Sequence, residues 1–306
     1  MKKDVSIPHL IKSISELHQL FALPRPDHPL ISILDFELLS YKYSDVWKHF
    51  TNDFYCITIK KGSNGNLKYG QRDYDFDDGT MTYTKPGQVF SVTASNDNPV
   101  KGYMLVFKSD LIRPYALGKN IGNYGFFDYT VAEALHLSDK EESVILSLMR
   151  QMQQELKSNF DQYSQDVIVS HLELLLNYAN RFYNRQFLTR KAVNSDLLSQ
   201  FEQIMNHYLN TDISLHKGLP TVQFMASQLH LSPNYLSDLL RNTTGQNAQQ
   251  YIQWYMIEKA KEWLSTSNRT VSEIAYQLGF EYSQSFSKLF KKLTSQTPVE
   301  YRKLFH

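Results

Sequence analysis

The sequence predicts an α+β protein of two domains, a strand-rich N-terminal half and an all-helical C-terminal half. Three observations carry that reading. A length of 306 residues suits about two domains of ~150 residues each. From about Ile31 to Phe107 short β-type runs alternate with turn signals, whereas from Ser138 onward apolar residues recur at helical spacing. Near the C-terminus, residues 222–241 and 271–291 repeat one pattern. A composition of 42% hydrophobic and 21% charged residues is that of a globular chain and excludes wholesale disorder.

In the strand-rich half, Ile57-Thr58-Ile59-Lys60 runs into Gly62-Ser63-Asn64-Gly65-Asn66, where Asn64-Gly65 suits a hairpin turn because both residues tolerate positive φ. Asp78-Gly79 and Lys85-Pro86-Gly87 mark two further turns. With Phe50, Phe54, Tyr55, Tyr69, Tyr74, Phe76, Tyr83 and Phe90 to fill an interior, these short strands suggest a small antiparallel sandwich or barrel. The run Asp73 to Gly79 has the look of a calcium loop, but glycine falls one place late and position 12 is Thr84 rather than Glu. It reads instead as a strand with carboxylates on one face and Tyr74 and Phe76 on the other.

Cys56 is the single cysteine and lies in the apolar run Phe54 to Ile59. That excludes an internal disulfide or a multi-cysteine zinc site and favours a small buried side chain. Between Ile31 and Asp110 the only histidine is His49, too few ligands for a metal-dependent enzyme. No metal and no cofactor are expected. Residues Met1 to His9 lack the apolar core of a secretory signal, and no run approaches the ~18 apolar residues of a membrane span. A cytoplasmic protein with no membrane partner is therefore expected.

Ser138-Asp139-Lys140-Glu141 is a capping box that opens a helix through about Lys157, with Val144, Leu146, Leu148 and Met149 on it. A second helix near residues 165–183 places Val167, His171, Leu174, Leu175 and Ala179 along one broad stripe, a candidate for self-association or for packing on its own domain. Arg181, Arg185, Arg190 and Lys191 then lead through a polar stretch to Asn194-Ser195-Asp196. The expected organisation is an N-terminal domain over 1–185, a linker over 186–200, and a helical domain over 201–306.

In the repeat, Ala226 matches Ala275, His230 matches Gly279, Leu231 matches Phe280, and Leu240 matches Phe290. The offset grows from 49 to 50, so the second copy has one extra residue after its turn. Each copy has the chemistry of a helix-turn-helix. A small alanine lets two helices approach, and four residues later comes a turn, where Gly279 supplies a left-handed backbone. An apolar plug follows. Ser232-Pro233 is an N-cap with proline at the first helical position. Leu236, Leu239 and Leu240 anchor the second helix of copy one; Phe286, Leu289 and Phe290 do so in copy two. Between the copies, Ala248 to Leu264 reads as a long connecting helix with Tyr251, Ile252, Tyr255, Met256, Ala260 and Leu264 facing inward. Two such units held roughly 34 Å apart match successive major grooves on one face of a duplex.

Residues 205–305 resemble the DNA-binding domain of the AraC/XylS family of bacterial transcription regulators. The second copy carries the resemblance: Ile274-Ala275, Gly279-Phe280, Ser283, Phe286-Ser287-Lys288, Phe290-Lys291-Lys292, Thr297-Pro298 and Tyr301-Arg302. Ser295 departs from a usual Gly, Met256 from a common Arg, and Asp238 from a neutral or basic base-reader. By matching position, DNA-facing roles fall to Asn234, Ser237, Asp238 and Arg241, and to Ser283, Gln284, Ser287, Lys288, Lys291 and Lys292. Gln284 has an amide suited to adenine, Lys288 suits guanine acceptors, and Asp238 can accept from cytosine N4.

The charge distribution agrees. The whole chain carries +1, but residues 221–306 hold nine basic against six acidic side chains, and 288–303 five against one. Binding follows where charge sits, not its sum.

The same resemblance implies a cupin-like barrel with trailing helices for the N-terminal domain, supported by Phe76 to Met81 and Pro86-Gly87-Gln88 as its turns. It also implies double-stranded promoter DNA as partner, a homodimer, a small-molecule effector and, for an activator, RNA polymerase. No enzymatic activity is expected. Two rival readings are a constitutive DNA-binding regulator whose barrel only dimerises, and a DNA-repair methyltransferase fused to the same unit, for which Cys56 is the one available nucleophile.

Overall fold

The computed structural model describes residues 8–39, 45–61, 79–91, 101–158 and 161–305. The Asn64-Gly65 turn, the Asp73–Asp78 run and the rings of Tyr69, Tyr74 and Phe76 lie outside the described residues. The chain divides into two compact units, Met1–Gln186 and Phe187–His306.

Among the described residues of the first unit, eight strands form two sheets. They are β1 (His9–Ile11), β2 (Ile31–Asp35), β3 (Phe50–Asn52), β4 (Tyr55–Lys61), β5 (Thr80–Thr84), β6 (Val89–Phe90), β7 (Lys101–Phe107) and β8 (Leu135–His136). The larger sheet has the order β2-β7-β4-β5-β8 and is antiparallel throughout. The smaller has the order β1-β3-β6, with β1 parallel to β3. Among the described residues the two sheets have separate hydrogen-bond ladders.

Register sorts the larger sheet's side chains. Cys56 lies opposite Thr84 and Val106, and Leu34 opposite Met104, so these share one face. That face packs with Ile11 of β1, Ile14 and Leu17 of helix α1 (Ile14–Leu20), Phe21 just after it, Trp47 in a 3-10 turn over Asp45–Lys48, Phe50 of β3, and Phe54 just before β4. Burial pushes the Cys56 thiol up to about 12, which keeps it protonated at neutral pH. On the opposite face Tyr83 meets Phe126, Phe127 and Tyr183.

Four helices follow: α2 (Ser109–Ile112), α3 (Ala116–Asn120), α4 (Asp139–Lys157) and α5 (Ser164–Thr189). The Ser138–Glu141 capping box is present. The buried stripe of α4 is Ile145, Leu148, Met149, Met152 and Leu156. Of the apolar residues expected on this helix, Leu148 and Met149 are buried while Val144 and Leu146 are half-buried. On α5 the core-facing residues are Ile168, Leu172, Leu175, Leu176 and Ala179, leaving Val167 and Leu174 exposed. Arg185 joins α5 to α4, its guanidinium donating to the Glu141 carboxylate at 2.7 Å and to the His136 carbonyl at 2.7 Å. Among the described residues no helix is long and apolar enough to cross a membrane.

The second unit is all helix: α6 (Lys191–Asn210), α7 (Ile213–Lys217), α8 (Val222–Leu229), α9 (Pro233–Thr244), α10 (Ala248–Thr266), α11 (Val271–Gln277), α12 (Ser283–Thr294) and α13 (Pro298–Arg302). The expected linker over 186–200 is therefore helical apart from Arg190, and it buries Phe187 and Asn194. Its polarity belongs to one side of a helix rather than to a spacer. The core holds Ala226, Leu236, Leu240, Ile252, Met256, Ala260, Leu264, Ala275, Phe286 and Phe290.

Candidate nucleic-acid interface

Two helix pairs, α8 with α9 and α11 with α12, are built by equivalent local chemistry. Thr221 and Thr270 cap the first helices, their hydroxyls accepting from the N–H of Phe224 and Glu273. The turns are left-handed at His230 (φ 58°) and Gly279 (φ 92°). There the N–H of Leu231 and of Phe280 returns to the carbonyl of Ala226 and of Ala275 at 2.9 and 3.0 Å. Both alanines are fully buried, since a larger side chain would part the helices.

The repeat also runs past the second helices. Gly245 and Ser295 end α9 and α12 in left-handed conformation. Asn247 with Gln250, and Thr297 with Glu300, then form capping boxes opening α10 and α13.

The pairs are held by more than the connecting helix. Ser214 donates to the Gln277 carbonyl at 2.7 Å, and the Gln277 amide donates to the carbonyls of Leu209 and Thr211. Tyr208 donates to the Gly218 carbonyl at 3.0 Å. A Cβ on Gly279 would sit 2.4 Å from the Gly218 oxygen. Gly279 is thus needed for close approach as well as for its φ, which ties the turn of the second pair to the α7 segment.

On α12, Phe286 and Phe290 are buried while Gln284, Lys288, Lys291 and Lys292 are exposed. The 3.6-residue period gathers Gln284, Lys288 and Lys291 on one outward stripe. Ser283 opens the helix and is half-buried.

On α9 the corresponding stripe is Asn234, Asp238 and Arg241, the first two half-buried and the third exposed. Arg241 donates to the Asp238 carboxylate at 2.5 Å, one turn away on the same helix.

Two residues of the expected set are placed differently. The Ser237 hydroxyl accepts from the N–H of Ala248 at 3.2 Å and so supports the start of α10. Ser287 donates to the carbonyl of Ser283 at 3.0 Å, back along its own helix.

Tyr282 is a residue sequence reasoning missed. It stands immediately before α12 and is 60% exposed. The signal was available, because an aromatic occupies the N-cap position that a hydroxyl or carboxamide ordinarily takes.

Residues 225–304 match the family model described as a helix-turn-helix domain. The chain is 32% identical over 110 residues to the HTH-type transcriptional regulator YtdP of Bacillus subtilis, covering 36% of this chain and 14% of that protein. It is 25% identical over 234 residues to the HTH-type transcriptional regulator SAS0078 of Staphylococcus aureus, covering 74% of this chain and 29% of that one. The chain thus spans less than a third of the length of either relative. A crystal structure of a transcriptional regulator with an AraC-type DNA-binding domain from Chromobacterium violaceum aligns over 37% of this chain and 94% of its own. Its TM-score is 0.32 and its sequence identity 19%. Residues 225–304 thus form a helix-turn-helix domain, and the curated relatives the chain matches are HTH-type transcriptional regulators.

Proposed function

We propose that the chain is a sequence-specific transcription regulator that reads duplex DNA through two helix pairs in successive major-groove segments. The observation that carries it is the α12 stripe, Gln284, Lys288 and Lys291 outward over a Phe286–Phe290 anchor. In this reading Gln284 and Lys288 contact base edges and Lys291 and Lys292 contact phosphates. Asn234, Asp238 and Arg241 serve the first pair and Ser283 the second, while Ser237 and Ser287 brace the helices. Selection of the full chain on random duplexes should enrich a motif of two elements about 10 base pairs apart. Enrichment of no sequence at low salt would sink the reading.

The N-terminal unit is assigned a cupin-like sensing and dimerising role. Exposed Val167 and Leu174 on α5 support self-association. The inner face of the larger sheet supports a sensor, since Thr80 is buried and, among the described residues, its hydroxyl has no hydrogen-bond partner. On the same face burial pulls the Lys60 ammonium down to about 8. The rival, a constitutive regulator, is favoured by the cavity beside Tyr83 and Phe126. It holds about 10 Å³, room for about one water molecule. A thermal-shift screen of small molecules on the full chain separates the two, because reproducible stabilisation by one compound rejects the constitutive reading. RNA polymerase is the proposed partner for an activator, and the cytoplasm the proposed location.

A further inference from the structure

We propose that Tyr282 is a base-reading residue of the second helix pair, its ring packing on the C5-methyl group of a thymine in the major groove. The proposal rests on the DNA-reading assignment above. Tyr282 is the N-cap of α12, extended at φ −129° and ψ 127°, with no side-chain cap. At every other helix start from α8 to α13 the position is filled for stability. Thr221, Ser232, Asn247, Thr270 and Thr297 each accept a first-turn N–H. Ser232, fifty residues earlier, is the direct counterpart of Tyr282 and accepts from the N–H of Tyr235 at 3.2 Å.

The ring does nothing for the fold in exchange. It is 60% exposed, and among the described residues its side chain makes no hydrogen bond or ring contact. The residues at the start of the second helix are the ones that approach base edges in a helix-turn-helix. Glu281, exposed beside it, repels a phosphate and directs the ring to the bases instead. The apolar group that a major-groove base edge offers is the thymine methyl. Two residues on, Gln284 presents an amide suited to adenine, so the start of α12 is equipped for A·T pairs.

The test uses the full chain and a duplex obtained by selection from a random pool. Each thymidine is replaced in turn by deoxyuridine, which removes the methyl and keeps the pairing, and affinity is read by fluorescence anisotropy. For the unsubstituted protein, one replacement should weaken binding about fourfold, the worth of one methyl-sized contact. Tyr282→Ser should bind the thymine duplex about tenfold more weakly and be indifferent to that replacement. It should also melt a few degrees higher, because serine restores the missing cap. Tyr282→Phe should keep both affinity and methyl sensitivity.

Unchanged affinity in Tyr282→Ser, retained sensitivity to the same methyl, or a lower melting temperature would each overturn the proposal. If the unsubstituted chain enriches a motif and Tyr282→Ser binds it equally, this proposal alone fails. If the unsubstituted chain enriches nothing, the DNA-reading assignment fails and the proposal with it.

Discussion

Replacing Gly279 by alanine tests how the two helix pairs are joined. At φ 92° a Cβ is disfavoured by about 1–2 kcal/mol whatever surrounds it. Here the Cβ would also lie 2.4 Å from the Gly218 oxygen, 2.5 Å from its carbonyl carbon and 3.0 Å from the Leu219 nitrogen. All three are backbone atoms and cannot rotate away. Displacing them adds about 1–3 kcal/mol, for a total of about 2–5 kcal/mol. Gly245→Ala is the control: its φ is 78° but nothing lies within 4 Å of the added Cβ, so only the conformational cost of about 1–2 kcal/mol applies.

The assay is urea unfolding followed by tryptophan fluorescence in a Trp47→Phe background. The remaining tryptophans, Trp254 and Trp263, then report the second unit alone, which avoids treating a two-unit chain as one transition. At equal m-values Gly279→Ala should unfold at clearly lower urea than Gly245→Ala. Coincident midpoints would refute the close approach of the 218–219 backbone to the second turn.

Further substitutions probe the caps and the reading surface. Ser295→Gly should stabilise the second unit by about 1 kcal/mol, since Ser295 holds a left-handed φ of 65° that glycine adopts freely; a chemical melt reads it. Lys291→Ala should weaken binding to all duplexes and flatten the salt slope by about one unit, whereas Gln284→Ala should relax sequence preference at one position. In the capping boxes, hydrogen bonds from the Thr270 and Thr297 backbone N–H groups lead in holding Glu273 and Glu300 below the usual carboxylate range. A depressed folded pKa gives stability that is present above the unfolded value and lost as pH falls through the folded one. The melting temperature should therefore decline below the ordinary carboxylate range, and Glu273→Gln with Glu300→Gln should flatten that decline.

What sequence reveals about this chain is what short-range chemistry determines. Ser232-Pro233, Thr297-Pro298 and the Ser138–Glu141 box each encode a helix start within four residues, and each is found where expected. The left-handed turn at Gly279 was legible for the same reason. The face of α4 was not. Val144, Ile145 and Leu146 are consecutive apolar residues, and only what α4 packs against selects Ile145 for the core. Nor could composition show that residues 186–200 are helical, because exposed polar side chains look the same on a helix as in a spacer. The hydrogen bonds from Ser214 and Gln277 join segments more than sixty residues apart and leave no local trace. The hydrogen bonds of Ser237 and Ser287 were not legible on similar grounds: spacing puts a serine near a surface, while its hydroxyl chooses the nearest backbone partner.

The fifty-residue equivalence shows that two copies of one scaffold have been given different electrostatic work. Asp238 corresponds to Lys288, Arg241 to Lys291 and Asn242 to Lys292. The three lysines of α12 are exposed with no acid on that helix, whereas the one cation of α9 is held by its own Asp238 at 2.5 Å. Phosphate attraction acts over a Debye length and is indifferent to sequence, so on the proposed DNA-reading role α12 is the helix suited to supply most of the non-specific grip. The α9 surface offers hydrogen-bonding groups with no net charge, and it can add affinity only where the bases complement Asn234 and Asp238. If the proposed DNA-reading role holds, this division has the second pair bring the protein onto DNA and the first decide whether it stays at a given sequence. The rigid stitching of Gly218 against Gly279 then matters functionally, because a reader without its own electrostatic grip depends on its neighbour to place it in the groove.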